Sequence, residues 1–302
     1  MKRTRRTHFA YAAIVAAGSL AWTMTACRDG PRPAPQHRIP ERIISIAPNA
    51  TEIIGALGES SRLVAVSDFC VWPPEIENLP RIGGLFDPSL ETMLALRPDL
   101  VILRGASAPI EQLCMTNGID LFCDRTEKFD DIYRNITELG QLLDQRERGE
   151  KLSRRMRERL KSIADAVAGR RPPRVLMTLA RSPDAIASVM TASRGTFVDE
   201  MIRMAGGENV FAGLDMDYPT ISTEAILVSR PEVIVDAMPE LEMTPSLEAQ
   251  IVEQWKAVGS TPAARDGRIH VLDEDHCYIP SPRIVEIIEK LARLFHPEVS
   301  LD

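Results

Sequence analysis

The sequence predicts an α/β fold in which two similar lobes are joined by one long helix. Two observations support this prediction. A helix–strand unit occurs twice, once in each half of the chain. Between the copies, residues 146–167 contain no proline and one glycine, and their apolar residues recur every three or four positions, as on one face of a helix. At 302 residues, the chain is long enough to form two domains, each with its own core.

The repeated unit reads LETMLALRPDLVI at 90–102 and TEAILVSRPEVIV at 223–235. In both copies an acidic residue follows the Arg-Pro pair, Asp99 in the first and Glu232 in the second. Because proline disfavours helical geometry in the residue before it, each helix is predicted to end at its arginine. The apolar run that follows is short and rich in β-branched residues, which is typical of a buried parallel strand. One such unit is therefore predicted in each lobe.

Residues 1–26 have the pattern of a secretory signal peptide. Basic residues precede an apolar stretch, 9–21, that is too short to span a bilayer. Small residues then lead to Cys27, which resembles the cleavage and lipid-attachment site of a bacterial lipoprotein. A plain signal peptide with an incidental cysteine is the alternative. The proline-rich segment 27–40 is predicted to be an extended tether. The sequence thus predicts an exported protein, held at a membrane by lipid on Cys27.

The charge of the chain argues against one class of partner. The leader contains four basic residues and no acidic ones, so its removal changes the formal net charge from −7 to −11. A mature chain this acidic is unlike a nucleic-acid-binding protein. It suits docking on a basic protein surface.

Four cysteines follow Cys27, and in an exported protein they can form disulfides in three different pairings. Cys114 and Cys123 are close in sequence and flank a predicted helix-to-strand turn, so they are the favoured pair. Cys70 and Cys277 are the other two. No CxxC motif occurs and the chain has only five histidines, so no metal site is predicted.

The N-terminal lobe is assigned to residues 41–145. Thr51 is predicted to cap a helix that runs to Leu57, and Gly118 to end another helix. The other elements predicted here are strands at 42–46, 62–66, 100–102 and 119–122, and helices at 90–97, 107–117 and 129–143.

Residues 146–168 are predicted to form the connecting helix, about 33 Å long at 1.5 Å per residue. A cover helix of the first lobe is the alternative. The C-terminal lobe is assigned to 169–302. Its predicted elements are strands at 174–179, 233–235 and 268–272, and helices at 196–205, 223–230, around Trp255 and Val258, and at 284–295.

Taken in order, several motifs resemble one known family: the periplasmic substrate-binding proteins of ABC importers for vitamin B12, ferric siderophores and heme, with the vitamin B12-binding component the most similar. The resemblance covers nearly the whole mature chain and implies two Rossmann-like α/β lobes bridged by one long helix, with ligand in a cleft between them. The motifs are IISIAPNATE at 43–52, both copies of the repeat, GTFVDE at 195–200, AGGENVF at 205–211 and SPR at 281–283.

Loops at strand ends are expected to line the ligand site, as in other α/β folds. The resemblance supports Phe69, Tyr218 and His276 as positions where vitamin B12 binders place aromatic side chains. Here His276 replaces a tryptophan. The full set of candidate ligand-binding residues is Pro48, Asn49, Phe69, Cys70, Phe86, Arg104, Tyr218, Asp275, His276 and Tyr278.

Two of these candidates bear on the identity of the ligand. Arg104 stands where some family members have an aromatic residue, and a guanidinium there suits a carboxylate or a propionate. A solvated strand end is the alternative. His276 could ligate a heme iron or a corrinoid cobalt, or it could be an ordinary residue of a polar loop.

Glu91 and Glu224 occupy the same place in the two copies of the repeat. An acidic residue in the first turn of a helix complements the helix dipole, which is the simplest explanation. The resemblance implies a second role, in which one glutamate on each lobe contacts arginines of the permease. The occurrence of both glutamates favours docking.

The sequence therefore predicts a substrate-binding lipoprotein of an ABC importer that captures a corrinoid and delivers it to a permease with its ATPase. It is expected to be a monomer without a resident cofactor. A ferric-siderophore or heme binder of the same class is the alternative, followed by a ligand-sensing lipoprotein and by an enzyme on a doubly wound fold. GxGxxG, Walker and GxSxG motifs are absent, which disfavours the enzyme.

Overall fold

The computed structural model describes residues 38–182, 186–239 and 241–301. The predicted signal peptide, Cys27 and most of the predicted tether lie outside the described residues. The α/β class is confirmed, because two parallel four-stranded sheets alternate with helices along the chain. The described residues pack into two compact units. The N-terminal unit comprises residues 38–157 and 279–283, and the C-terminal unit comprises the described residues of 158–278 and 284–301.

The N-terminal unit is built on a parallel sheet with strand order β2-β1-β3-β4. Its core side chains come from these strands and from the helices that cover them, and include Ile44, Val101 and Met93. The elements are β1 (Ile43–Ser45), α1 (Pro48–Ala56), β2 (Leu63–Val66), α2 (Leu90–Ala95), β3 (Leu100–Arg104), α3 (Ala108–Asn117), β4 (Asp120–Asp124) and α4 (Phe129–Leu142). Two short 3-10 turns add Ser60–Arg62 and Pro74–Ile76.

The C-terminal unit contains a second parallel sheet, of order β8-β5-β10-β11, and a small antiparallel sheet, of order β6-β7-β9. Trp255 and Leu176 are fully buried in its core. The elements are β5 (Arg174–Thr178), β6 (Ala180–Arg181), β7 (Ser188–Met190), α6 (Phe197–Met204), β8 (Glu208–Asn209), β9 (Thr220–Ser222), α7 (Thr223–Ser229), β10 (Val233–Ala237), α8 (Pro245–Val258), α9 (Pro262–Arg265), β11 (Ile269–Leu272) and α10 (Ile284–Phe295).

The two parallel sheets have the same strand order when β1, β2, β3 and β4 are matched with β5, β8, β10 and β11. In both sheets, the strand of the repeated unit, β3 or β10, pairs with the first strand of its unit. The duplication read from the sequence is therefore a duplication of the whole sheet topology.

The repeated unit has the predicted form in both copies. Serine caps each helix, Ser89 at α2 and Ser222 at α7, through a hydrogen bond from a backbone amide. The arginine after each helix adopts a left-handed conformation, with φ of 46° at Arg97 and 48° at Arg230. Because such a φ is incompatible with a continuing helix, each helix ends at its Arg-Pro pair as predicted.

One further helix, α5 (Arg146–Val167), has 22 residues and ends one residue short of the predicted range 146–168. Its predicted apolar stripe faces inward, with Met156 and Ile163 buried. The division between the two units falls within this helix, after Arg157. The predicted lobe boundaries, 41–145 and 169–302, differ from this division most clearly at 279–283, which packs with the N-terminal unit.

Two local predictions were wrong. Thr51 lies inside α1, which begins at Pro48 because proline suits the first turn of a helix, and the Thr51 hydroxyl donates to the Ala47 carbonyl at 3.0 Å. The favoured Cys114–Cys123 disulfide does not form, and none of the four cysteines among the described residues belongs to a disulfide. Cys114 and Cys123 instead pack as small apolar side chains in the same core.

No helix in the described part of the chain is both long enough and apolar enough to cross a bilayer.

Candidate ligand-binding residues

The carboxyl ends of β3 and β4 bring two predicted residues together. Arg104, the last residue of β3, contacts Asp124 of β4 at 3.3 Å and donates to the Thr126 carbonyl at 3.2 Å. The Asn49 amide donates to the same carboxylate at 2.8 Å. Asp124 is fully buried, whereas about a third of the Arg104 side chain is exposed (32%). Arg104 thus uses one N–H group on each terminal guanidinium nitrogen within the protein, and its other N–H groups remain available to an acceptor.

Asp124, Thr126 and Asn135 were not predicted as part of this cluster. The Thr126 hydroxyl and the Asn135 amide both donate to Asp124, so the buried carboxylate has four side-chain partners. An aspartate at the end of a buried strand is a signal for such a cluster, because a carboxylate at that depth requires donors. Thr126 is only 2 residues from Asp124, but the other three partners are 11 to 75 residues from it in sequence, and only the fold brings them together.

Pro48 and Cys70 are placed inside the N-terminal unit. Pro48 opens α1 and is buried. The Cys70 sulfur lies 3.2 Å from the Thr51 hydroxyl and 3.3 Å from the Ser67 hydroxyl, with only 1% of the residue exposed. Burial raises the pKa of the Cys70 thiol. The predicted role of Cys70 in ligand contact is therefore corrected: its side chain completes a buried hydroxyl cluster.

Two phenylalanines of the N-terminal unit lie on the loops that follow β2. Phe69 is half-buried. Phe86 is 72% exposed, and it is the one aromatic residue among the exposed large apolar side chains of the described residues. Exposed aromatic side chains on strand-end loops are suited to stacking against a planar ligand.

In the C-terminal unit, His276 lies between two carboxylates. Its Nδ1 is 2.8 Å from Asp275, and its Nε2 is 3.5 Å from Glu286 and has no hydrogen-bond partner. The residue is 6% exposed, and Tyr218 and Tyr278 are half-buried. No group of three or more His, Cys, Asp or Glu side chains in the described ranges is placed to hold a metal ion.

A buried hydrogen-bond network lies at the carboxyl ends of β5 and β10. It was not predicted from the sequence. Asp236 accepts hydrogen bonds from Thr178 at 2.6 Å, from Trp255 at 2.7 Å and from Arg181 at 2.8 Å. The side chains of Arg181 and Asp236 are both fully buried. This network joins the small antiparallel sheet to the strand ends of the parallel one.

Glu52 is the buried partner of the SPR motif. It accepts hydrogen bonds from the Ser281 hydroxyl and from the Arg283 guanidinium, whose Nε lies at 2.9 Å. Arg283 also lies over the ring of Trp72, 5.0 Å from its centroid. These contacts explain why residues 279–283 pack with the N-terminal unit.

The two predicted docking glutamates occupy equivalent exposed positions. Glu91 and Glu224 are each two residues after the capping serine of α2 and α7. One turn later, Leu94 and Leu227 are both 37% exposed. The Ser222 hydroxyl holds the pKa of Glu224 below its usual value, so this carboxylate is charged at neutral pH.

The family model described as periplasmic binding protein matches residues 43–276. The chain belongs to the periplasmic binding protein family. This match spans the parallel strands of both units, from β1 to β11, and ends at His276.

Curated relatives agree with this family. A vitamin B12-binding protein of Vibrio cholerae is 30% identical over 253 residues, which cover 83% of this chain and 87% of the relative. A vitamin B12-binding protein of Yersinia pestis is also 30% identical, over 65% of this chain and 69% of the relative.

Solved structures in the family include binders of two different ligands. The periplasmic vitamin B12-binding protein of Vibrio cholerae superposes with a TM-score of 0.71 at 29% identity, covering 85% of this chain and 97% of its own. A periplasmic heme-binding protein of Pseudomonas aeruginosa superposes with a TM-score of 0.76 at 27% identity, covering 86% and 94%. This periplasmic binding protein therefore belongs with solute binders and not with enzymes, as predicted.

Proposed function

We propose that this periplasmic binding protein captures a corrinoid of the vitamin B12 type outside the cytoplasm and delivers it to an ABC permease. The observation that supports this ligand is the match to vitamin B12-binding relatives at 30% identity over most of both chains. The chain supplies capture and presentation, and the transport machinery supplies the energy.

Under this proposal the candidate corrinoid contacts are strand-end residues, given for each unit by itself. In the N-terminal unit these are Phe69 and Phe86 for stacking, with Arg104 as the polar contact and the buried Asn49 holding Asp124 beside it. In the C-terminal unit they are Tyr218, Asp275, His276 and Tyr278. A planar macrocycle with polar edge groups suits such a set, in which aromatic faces and a few polar groups are combined.

Heme is the second candidate ligand, and two observations favour it. Arg104 retains N–H groups for a propionate. Heme-binding proteins are also among the solved structures with 27–28% identity. A ferric siderophore is the third ligand of this class.

The Arg104→Gln variant tests the role of the guanidinium and separates the two candidates. If heme is the ligand, loss of the propionate contact should weaken binding about tenfold or more, because a charge-assisted hydrogen bond is lost. If a corrinoid is the ligand, the aromatic contacts dominate and Phe86→Ala should weaken binding more than Arg104→Gln. The control is Arg154→Gln, which changes an exposed arginine of α5.

Export and anchoring complete the proposal. Residues 1–26 direct export, and Cys27 receives a lipid that holds the protein at the membrane through the tether. Mass spectrometry of the protein purified from membranes checks this: the mature chain should begin at a lipid-modified Cys27, and Cys27→Ser should be released in soluble form. A mature chain that starts elsewhere would contradict it.

A further inference from the structure

The C-terminal unit contains a cavity of about 460 Å³ that the proposed ligand site does not use. It lies at the amino ends of the parallel strands, where Arg174 begins β5 and Arg268 precedes β11. Asp236 and Thr178 mark the opposite, carboxyl ends of the same sheet. We call this cavity the arginine pocket, after the five arginines that line it: Arg171, Arg174, Arg230, Arg265 and Arg268.

The arginine pocket is strongly positive although the mature chain is acidic. Besides the five arginines, the only charged residues among those that line it are Glu232 and Asp266, which leaves a net charge of +3. Such a concentration of like charge is unfavourable by itself, and a bound anion would offset it.

Three of the five guanidiniums are held in place by the fold. Arg171 contacts Glu232 through two nitrogens, at 2.6 and 3.1 Å. Arg174 donates to the Ser229 carbonyl at 2.7 Å. Arg268 donates to the Leu294 and Phe295 carbonyls at the end of α10, at 3.0 and 2.8 Å. These bonds fix the walls of the pocket.

The other two arginines are free. Arg230 and Arg265 are exposed, and within the described residues neither guanidinium makes a hydrogen bond or an ion pair. Each retains all five of its N–H donors. The pocket therefore combines three guanidiniums that are hydrogen-bonded to the protein with two that have no protein partner in the described residues.

The duplicated topology shows which arginines the fold requires. Arg42 in the N-terminal unit is equivalent to Arg174, and it donates to the Leu96 carbonyl just as Arg174 donates to Ser229. In contrast, the strand register makes Ile39, Asn117 and Asp120 the N-terminal-unit equivalents of Arg171, Arg265 and Arg268. The same architecture is thus built without these three positive charges, so they are an addition specific to the C-terminal unit.

We propose that the arginine pocket binds a phosphate-bearing ligand. Planar guanidiniums pair with phosphate oxygens in a bidentate manner, and a phosphate dianion or phosphodiester matches the net positive charge of the pocket. A cavity of about 460 Å³ is large enough for an organic phosphate or for a phospholipid headgroup. Arg230 and Arg265 close on the phosphate, and Arg171, Arg174 and Arg268 supply the positive field.

The experiment measures phosphate binding in the full chain with Cys27→Ser, which carries no lipid. One arm titrates sn-glycerol 3-phosphate and inorganic phosphate by calorimetry. The other arm measures flotation with vesicles of phosphatidylglycerol and phosphatidylcholine, and with vesicles of phosphatidylcholine alone. If the protein binds the soluble phosphates but not the vesicles, the ligand is a free organic phosphate. If it binds phosphatidylglycerol vesicles and sn-glycerol 3-phosphate displaces it from them, the ligand is a lipid headgroup.

The decisive variant is Arg230→Gln with Arg265→Gln, and its charge-matched control is Arg154→Gln with Arg155→Gln on the exposed face of α5. We expect the pocket variant to lose at least about tenfold in affinity, because two charge-assisted contacts are removed, and the control to bind like the parent. Absence of binding in the parent, or equal binding by both variants, would overturn the proposal. Titration of cyanocobalamin and hemin in the same variants reports on the proposed transport function separately, and should be unchanged.

Discussion

Asp99 and Glu232 show how single residues perform the same task in the two units. Asp99 accepts hydrogen bonds from the backbone amides of Glu41 and Arg42, both at 2.9 Å, and so attaches the start of β1 to β3. Glu232 accepts from the Arg174 amide at 3.0 Å and attaches β5 to β10 in the same way. The longer glutamate also reaches Arg171, and this pairing holds the pKa of Glu232 below its usual value.

Loss of one partner of the buried Glu52–Arg283 pair should destabilise the protein strongly. Glu52 is 1% exposed, so Glu52→Gln leaves the Arg283 charge buried without compensation, which we expect to cost about 3 kcal/mol in the free energy of unfolding. Urea unfolding measures this cost. Adding Arg283→Met to Glu52→Gln should recover part of it, and the exposed control Glu150→Gln should change stability little. Equal stability of Glu52→Gln and Glu150→Gln would contradict the role of the pair.

The buried thiols should be unreactive in the folded protein. Burial raises the pKa of Cys114 to about 11 and raises those of Cys70 and Cys277 as well. At pH 8 these thiols therefore stay protonated, and a thiol-specific disulfide reagent should modify only the half-buried Cys123 rapidly among the four. Unfolding in urea should expose the others.

The raised pKa values of these thiols determine the direction in which the free energy of unfolding changes with pH. Below the ordinary thiol pKa of about 8.5, these cysteines are protonated in both the folded and the unfolded chain, so they add no pH dependence. Above it the unfolded chain loses its thiol protons first, and the free energy of unfolding should fall as the pH rises towards 11. A rise in stability over this range, or rapid modification of all four thiols at pH 8, would contradict the placement of these side chains.

At the scale of elements, the long amphipathic segments were predictable and the local contacts were not. The bounds of α5 and α10 agree with the sequence prediction, because apolar spacing and the absence of proline define both ends. The start of α1 was misplaced because Thr51 is a good capping residue, but Pro48 suits the first turn better. A strand-end aspartate signals the clusters around Asp124 and Asp236, but most of their partners are distant in sequence, so no local pattern could identify those partners.

The approach of α10 to β8 requires a glycine at position 207. A Cβ on Gly207 would lie 2.8 Å from the ring of Phe295 and 2.9 Å from Val175. Gly207→Ala should therefore cost about 1–3 kcal/mol by overpacking, measured by urea unfolding. Gly213→Ala is the matched control, because a Cβ there meets no atom within 4 Å, and it should stay within about 0.5 kcal/mol of the parent. Similar effects of the two substitutions would show that this contact is not tight.

At the scale of the whole molecule, the proposed delivery to a permease gives the matching exposed glutamates, Glu91 and Glu224, a role. Glu91→Gln with Glu224→Gln should weaken binding to the reconstituted permease by tenfold or more, since two charged contacts are lost, and ligand affinity should not change. The weakening should shrink as salt concentration rises. Glu150→Gln with Glu158→Gln is the charge-matched control. Normal permease binding by the Glu91 and Glu224 double variant would exclude this pair as the docking contact.

The proximity of two of the candidate ligand residues was predictable from their positions at strand ends. Arg104 and Asn49 were selected because they follow strands, and the structure joins them through Asp124. Cys70 was selected for the same reason but points inward, since loop position does not determine side-chain direction. The identity of the ligand is harder to predict, because vitamin B12 binders and heme binders share this fold at similar identity.

The most direct test of the account is a fluorescence titration of the purified protein with cyanocobalamin and with hemin. Trp72 packs against Arg283 in the N-terminal unit and serves as one reporter. We predict saturable quenching by cyanocobalamin at submicromolar concentration. Tight binding of hemin alone would retain the binding class and replace the ligand. Saturable binding of neither compound would contradict the proposal that this protein captures a corrinoid or heme.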